Sequence, residues 1–334
     1  MNFAFIVSFA NFQYSGGITV QGRMWKESLE ALGHHVSLIN CWDKYDWNSF
    51  DYVVFFGTGK LMYDYVHAIK RFSHPKMVSA PIIDWNKSMF EYKLRCKYGG
   101  SIRMRWHMPH HDFYSIRNFF SFFLVRSQHE KNFLKQGLGI PESKIHILPL
   151  SFRIKNIPLA PFHKENFVFH ASRLADPGKN VERLVKSAIK YEYQLVLAGT
   201  LNGDEKKWLD DLISGHSNIK YVGWISDEQL YDYYSRAKVL ALPSLIEGVG
   251  MVALEAAVYG CEIVLTNLGA PKEYWGGQAY LVDPYDIDSI GSAVVKALSG
   301  EENRQPKLRD FVVSNYNEKT CTLKLQEVFL NNLK

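Results

Sequence analysis

Apolar positions fall into short compact runs separated by longer segments with helical spacing. Residues 3–9, 35–40 and 52–56 are dense in aromatic and β-branched side chains, and residues 20–32 carry apolar positions at helical intervals between the first two runs. That alternation predicts a doubly wound sheet with parallel strands. Residues 122–127 read as a strand and capped turn, 130–136 as a helix, and 144–149 as a last strand. The pattern then restarts, with strands expected over 167–171, 193–199, 219–225, 238–242 and 261–266, and helical stretches over 287–298 and 308–330. Ser226-Asp227-Glu228-Gln229 has the form of a capped helix start. Pro149, Pro158 and Pro161 punctuate a mixed segment that reads as a linker. The expected organisation is α/β, with Rossmann-like domains over 1–155 and 156–310 and a helix over 311–334 that returns to the first.

A chain of 334 residues is long for one core, which agrees with two domains. Hydrophobic content of 47% and charged content of 22% are ordinary for a globular protein, and no stretch has the length and apolarity of a bilayer span. The apolar start lacks a basic region before it, so it reads as a strand and not as a signal peptide. Cys41, Cys96, Cys261 and Cys321 form no C-x-x-C pair, which points to a reducing compartment such as the cytoplasm. Net charge is 39 − 34 = +5, too small an excess to imply nucleic acid.

The most informative stretch runs from Pro243 to Ala257. An apolar strand ends at Pro243-Ser244, a loop carries Glu247, Gly248 and Gly250, and a helical segment from Met251 carries Glu255. Seven residues separate the two carboxylates, so they reach different parts of one elongated ligand. The glycines admit a close backbone approach, and the N–H groups of Gly250, Met251 and Val252 suit an anion. Arg173 and Lys179 flank a Pro-Gly turn after the strand at 167–171, where both cations can meet one anion; two surface cations around a turn is the other reading.

These residues resemble the signature of retaining glycosyltransferases of family four, with its E-x7-E and Arg-x5-Lys motifs. The resemblance implies a GT-B fold, two Rossmann-like doubly wound domains facing a central cleft. It implies transfer of a sugar from a nucleotide-diphosphate sugar, UDP being the favoured base, to a hydroxyl of a glycan or lipid-linked acceptor in cell-surface polysaccharide synthesis. Glu247 would meet the donor sugar, Glu255 the ribose hydroxyls, and the Gly250 to Val252 backbone, Arg173 and Lys179 the diphosphate, with Gly248 also against the donor and with no cofactor and no divalent metal. Gly16 and Gly17 would lie against the donor, and Trp224 and Ile225 would flank the nucleobase, with a place in the core the other reading of Trp224. Asp84 stands where many members carry His-Asp, but Ile83 precedes it, which leaves a helix N-cap as the alternative. Gly16-Gly17 is equally a plain turn, and the pair does not complete a dinucleotide fingerprint. An epimerase of the same architecture and a non-catalytic sugar-nucleotide binder are the competing functions.

Residues 87–123 mix Lys93, Arg95, Lys97, Arg103, Arg105 and Arg117 with Tyr92, Tyr98, Trp106 and a Phe-rich run. Basic groups beside large rings suit anionic headgroups at an interface, so this segment is expected to receive the acceptor in peripheral contact with the inner face of a membrane; an amphipathic helix packed on the domain is the alternative. His107, His110, His111 and Asp112 include good metal ligands, but Pro109 breaks their helical spacing and no second cluster accompanies them, so no metal is expected.

Overall fold

The computed structural model describes residues 1–333 except 8–16, 41, 73–74, 84, 86, 102 and 105, and omits the side chain of Phe72. The described chain divides into two compact units, Met1–Leu150 with Glu318–Lys334, and Ser151–Asn317.

The first unit holds a six-stranded parallel sheet in the order β2-β1-β3-β4-β5-β6, with β1 Asn2–Ile6, β2 His35–Leu38, β3 Tyr52–Phe56, β4 Lys76–Ala80, β5 Phe122–Val125 and β6 Ile145–Ile147. Its helices are α1 Gly17–Ala31, α2 Lys60–Phe72, α3 Met89–Tyr98, α4 Pro109–Ile116 and α5 Gln128–Asn132. Every residue of β3 is buried, as a strand covered on both faces requires, and its unbroken apolar run reports that position. The second unit repeats the scheme in the order β12-β11-β10-β7-β8-β9, with β7 Glu165–Ala171, β8 Leu195–Ala198, β9 Ile219–Tyr221, β10 Ala237–Leu242, β11 Glu262–Thr266 and β12 Tyr280–Val282. Around it lie α6 Val181–Tyr191, α7 Gly203–Ile213, α8 Asp227–Arg236, α9 Met251–Val258, α10 Ile287–Ser299 and α11 Lys307–Tyr316. Renumbered within the unit, this order is 3-2-1-4-5-6 read from β9, so the strand order reverses between β7 and β10, where open sheets of this kind receive ligands.

Three local findings change the sequence expectations. The helical stretch at 308–330 is two helices, because Asn317 takes an extended conformation, φ −72° and ψ 156°, and α12, Glu318–Asn331, packs on the first unit. There Phe329 is fully buried, its ring 4.8 Å from Phe3 and 4.9 Å from Tyr52, and the Tyr52 hydroxyl donates to the Phe329 carbonyl at 2.7 Å. The strand expected over 219–225 stops at Tyr221, since Gly223 has φ +78°. The segment 87–123, the least regular part of the sequence pattern, contains two helices, and its Phe-rich end is core: Phe113, Phe120, Phe122 and Phe123 are each about 1% exposed.

Candidate functional site

Loops at the carboxyl ends of β7, β8 and β9 are tied together by backbone. Ser172 N–H donates to the Ala198 carbonyl at 3.1 Å, and Gly199 N–H to the Gly223 carbonyl at 2.9 Å. Gly199 has to be glycine here, because a Cβ would sit 2.1 Å from the Ser172 carbonyl oxygen. The loop after β7 then turns through Asp176, whose Oδ1 accepts from Gly178 N–H at 2.9 Å, and reaches Asn180 in a left-handed conformation with φ 59°. The Asn180 amide is buried and donates to the carbonyls of Pro243 at 2.8 Å and Pro284 at 2.7 Å. A second tie comes from the Gly178 carbonyl, which accepts from Leu245 N–H at 2.8 Å and Ile246 N–H at 3.0 Å. The loop with Lys179 is thus docked on the loop with Glu247 by backbone and by one buried amide.

That docking brings two predicted groups together. Lys179 Nζ lies 2.9 Å from Glu247 Oε2, and the Ser244 hydroxyl donates to the same oxygen at 3.2 Å. The two charged side chains are 18% and 13% exposed. Behind them His170 is wholly buried, with Nδ1 2.7 Å from the Ala241 carbonyl and Nε2 2.7 Å from Ser172 Oγ. A carbonyl only accepts, so Nδ1 carries the proton and Nε2 accepts from the serine hydroxyl. Burial is the main cause that lowers the His170 pKa to about 4; the Ala241 hydrogen bond opposes it and the Lys179 charge adds to it. The imidazole is therefore neutral beside the Lys179–Glu247 pair.

Next to this pair, Gly250 adopts φ 74° and ψ 55° as the N-cap of α9 and supplies no side-chain cap. A Cβ at Gly250 would lie 3.8 Å from Glu247 Cγ, so the helix start and the carboxylate are neighbours. The first-turn N–H groups of Met251 and Val252 have no intrahelical acceptor to reach and are suited to an anion. One turn further in, Glu255 is fully buried. Arg153 grips it in a bidentate arrangement, Nε to Oε1 at 2.5 Å and an Nη to Oε2 at 2.9 Å, and also reaches Asp227 at 3.3 Å.

The remaining predicted residues are placed differently. Arg173 is 82% exposed and paired with Asp176 at 2.6 Å, three residues along its own loop. Trp224 is 72% exposed, so it is not a core residue, and it follows β9 with Ile225 just before the capping box of Ser226 and Gln229 at the start of α8. Gly17 is the exposed first residue of α1 in the first unit, whereas Gly16 and Asp84 lie outside the described residues. The histidines at 107–111 do not converge: His107 Nδ1 is 3.1 Å from Asp112 Oδ1, His111 Nδ1 is 3.0 Å from the Cys96 carbonyl, and the His110 ring packs on Trp85 and Tyr92. Among the described residues no group of three His, Cys, Asp or Glu side chains is placed to hold a metal ion. A cavity of about 530 Å³ lies beside the Lys179 loop, walled by Leu174, Asp176, Pro177, Val181, Trp208 and Leu245; neither Lys179 nor Glu247 lines it.

Sequence reasoning assigned no role to Arg153, His170 or Asn180. Arg153 and Glu255 are 102 positions apart, and Arg153 sits in a stretch read as linker, so no local pattern joins them. His170 interrupts an apolar strand and Asn180 follows Gly178-Lys179, and those two irregularities were the available signals.

A three-stranded half joined to its mirror in strand order, with a glycine loop leading into an uncapped helix, is a doubly wound α/β architecture with its switch point at that loop. Comparison with known proteins makes the class specific. Residues 153–310 match the family described as glycosyl transferases group 1. The O-antigen chain mannosyltransferase B of Escherichia coli is 27% identical over 143 residues, 39% of this chain and 36% of that protein. The MMP alpha-(1->4)-mannosyltransferase of Mycolicibacterium hassiacum is 28% identical over 170 residues, 48% of this chain and 41% of that one. The alignments thus span well under half the length of either relative. In three dimensions the sucrose-phosphate synthase of Thermosynechococcus elongatus aligns over 99% of this chain and 98% of its own with TM-score 0.75 at 16% identity. Anabaena HepE in complex with UDP aligns over 99% of both chains with TM-score 0.73 at 13% identity. Residues 153–310 thus match the group 1 glycosyltransferases, and the fold of the chain is GT-B.

Proposed function

We propose that this protein is a retaining glycosyltransferase that moves a sugar from a nucleotide-diphosphate donor, with UDP the favoured carrier, to a hydroxyl of a glycan or lipid-linked acceptor in cell-surface polysaccharide synthesis. The observation that carries the reading is the Lys179–Glu247 pair, 2.9 Å apart on two loops docked by Gly178 and Asn180, beside the uncapped start of α9. Relatives named as mannosyltransferases support a hexosyl donor, and the neighbour crystallised with UDP supports that carrier.

The bond between the anomeric carbon and the diphosphate oxygen breaks, a bond from the acceptor oxygen forms on the same face, and the acceptor proton goes to the departing phosphate. Negative charge grows on the diphosphate, where Lys179, the Met251 and Val252 N–H groups and a re-aimed Arg173 stabilise it. These groups take the place of a divalent metal. Glu247 holds the sugar hydroxyls and faces the positive ring. To do so it shares Lys179 with the donor: the cation turns from carboxylate to phosphate as the sugar arrives. His170, neutral and fixed by two hydrogen bonds, supports the loop without adding charge that would compete for either partner. Glu255 keeps its place as the ribose ligand, which requires its covering side chains and Arg153 to yield part of their hold.

The test is a thermal-shift screen of UDP, GDP and ADP, followed by their sugar conjugates. One nucleotide should raise the transition by mass action, and its sugar conjugate should raise it further. No shift with any nucleotide would overturn the reading.

A further inference from the structure

Among the described residues, six large apolar side chains stand exposed between Phe90 and Met108 in the first unit, and they are arranged, not scattered. Phe90, Leu94 and Tyr98 of α3 are 71%, 43% and 65% exposed. Spaced by four, they spread over only about 80° of the helix surface. Tyr92 and Cys96, at 1% and 0%, form the opposite face against the core. The stripe continues past the helix into a small hairpin, where Ser101 and Trp106 exchange backbone hydrogen bonds at 2.9 Å in both directions. Met104 at its tip is 79% exposed and Trp106 60%. Its base packs closely on the unit: a Cβ on Gly100 would meet the Trp106 carbonyl at 2.9 Å and His111 at 3.0 Å, and His111 is itself bonded to the Cys96 carbonyl of α3.

Charge follows the same arrangement. Lys93 and Lys97 lie within about 60° of Phe90 around the helix, both exposed, and Arg103 stands exposed in the hairpin turn beside Met104. The one acid of α3, Glu91, is matched by two cations, Arg95 at 3.4 Å and Lys87 at 3.6 Å. By contrast Arg117 and Arg126, which share the basic character of this sequence segment, are taken up internally, Arg117 by the Leu138 carbonyl at 3.0 Å and Arg126 by buried Glu130. The apolar stripe is thus flanked by unneutralised positive charge, with a tryptophan and a tyrosine at its edge. Among the described residues no helix is long and apolar enough to cross a membrane, and α3 has only 10 residues.

We propose that the α3 stripe, with Arg103, Met104 and Trp106 beyond it, forms a docking surface for an anionic lipid bilayer, with the rings and methionine entering the interface and Lys93, Lys97 and Arg103 meeting the headgroups. A second protein surface of matching shape would need its own acidic rim; a bilayer of anionic lipid supplies both layers, charge outside and hydrocarbon beneath, in the order this surface presents them. The inference stands apart from the donor-site reading, and it gives a lipid-linked acceptor a route to the first domain.

Flotation of the full chain with vesicles tests it. The protein should float with phosphatidylcholine vesicles that contain phosphatidylglycerol, at least tenfold less with phosphatidylcholine alone, and less again in high salt. Each basic group near such a surface changes partitioning roughly fivefold, so Lys93→Glu with Lys97→Glu should lower binding at least twentyfold. Phe90→Ser, Leu94→Ser and Trp106→Ser together should abolish it. All of these side chains are exposed, so the melting transition and its shift with nucleotide should not change, and that measurement separates loss of the surface from failure of the donor site. No flotation with either vesicle, or undiminished flotation of both variants, overturns the proposal. A dimer by light scattering that both variants dissolve, with no flotation, overturns it in favour of a second copy of this chain.

Discussion

Glu247 and Glu255 sit on the same loop-helix unit, seven residues apart in the gap between them, and their surroundings could hardly differ more. Glu247 is held by one lysine and one serine hydroxyl on a single oxygen, with 13% of its side chain exposed. Glu255 has no exposure at all and engages both oxygens with a guanidinium from another part of the unit. A lysine is a point charge on a flexible stem with donors to spare, so it can turn toward a ligand while the carboxylate takes the ligand's hydroxyls. A bidentate guanidinium offers no such exchange, because each oxygen it releases leaves a desolvated charge. Equal spacing in sequence therefore produces one exchangeable carboxylate and one that ties residue 153 to the helix core. The second becomes a ligand group only in a conformation where Arg153 has moved.

The largest effect should come from breaking the buried pair. Arg153→Met leaves Glu255 with an uncompensated carboxylate and should lower the unfolding free energy by about 3–5 kcal/mol. Arg153→Met combined with Glu255→Leu should recover most of that, since an apolar pair of similar volume costs little. Urea denaturation of the two variants decides the matter. A loss below about 1 kcal/mol in the single variant would put Glu255 on the same footing as Glu247 and end the contrast.

Next in size is a pH effect on the Glu247 side. His170 has its pKa lowered from 6.5 to about 4, chiefly by burial. Because the folded value lies below the unfolded one, stability is fullest above pH 6.5 and falls as pH drops toward 4, where the unfolded chain takes up a proton that the folded chain refuses. At 1.36 kcal/mol per pH unit the loss attributable to this group is about 3 kcal/mol across that window. The difference between wild type and His170→Gln, followed by urea denaturation from neutral pH downward, should isolate it. A difference that does not change with pH would show that His170 is not the neutral support of the Lys179 loop.

How much of this was legible in the sequence follows from the range of the interactions. Strands at 52–56 and 238–242 and the glycine loop before Met251 are set by local apolar runs and breakers, and they lie where the pattern placed them to within a residue. The Lys179–Glu247 contact was approachable because both residues belong to loops at strand ends, which a doubly wound sheet brings to one edge. Arg153 was not, since its partner is 102 residues away and its own segment has no period. Arg173 is a different case: its spacing from Lys179 suggested one shared anion, and the spacing did not show that its guanidinium also pairs with Asp176 within the same turn. The aromatic segment at 87–123 carried two readings, because burial against a sheet and exposure at a membrane both select phenylalanine, and only the fold separates Phe113 and Phe120 in the core from Phe90 outside it.

Transfer itself should respond to the exchangeable pair. Glu247→Ala and Lys179→Ala should each slow transfer at least about a hundredfold, the loss expected when a single stabilising group leaves a reacting centre. Both side chains belong to loops outside the hydrophobic cores and keep 18% and 13% of their surface exposed, so the melting transition should fall by no more than a few degrees. The comparison sharpens if Glu255→Gln destabilises the fold more than it slows turnover per folded molecule. Near-normal transfer by both loop variants would remove Glu247 and Lys179 from the chemistry.

The smallest effect is expected at the far end of the ligand. Trp224 is 72% exposed at the end of β9 and has no core to lose. A base stacked on it gains at least about 1 kcal/mol, so Trp224→Ala should weaken nucleotide binding roughly fivefold and leave stability unchanged. The discriminating measurement is which ligands feel the change. Loss at Trp224 should be the same for the nucleoside diphosphate and its sugar conjugate, whereas Glu247→Ala should weaken only the conjugate. If both variants affect both ligands alike, the donor does not run from Trp224 to Glu247. If the contrast holds, the ribose falls between those two ends, and Glu255 is the carboxylate within its reach once Arg153 gives way.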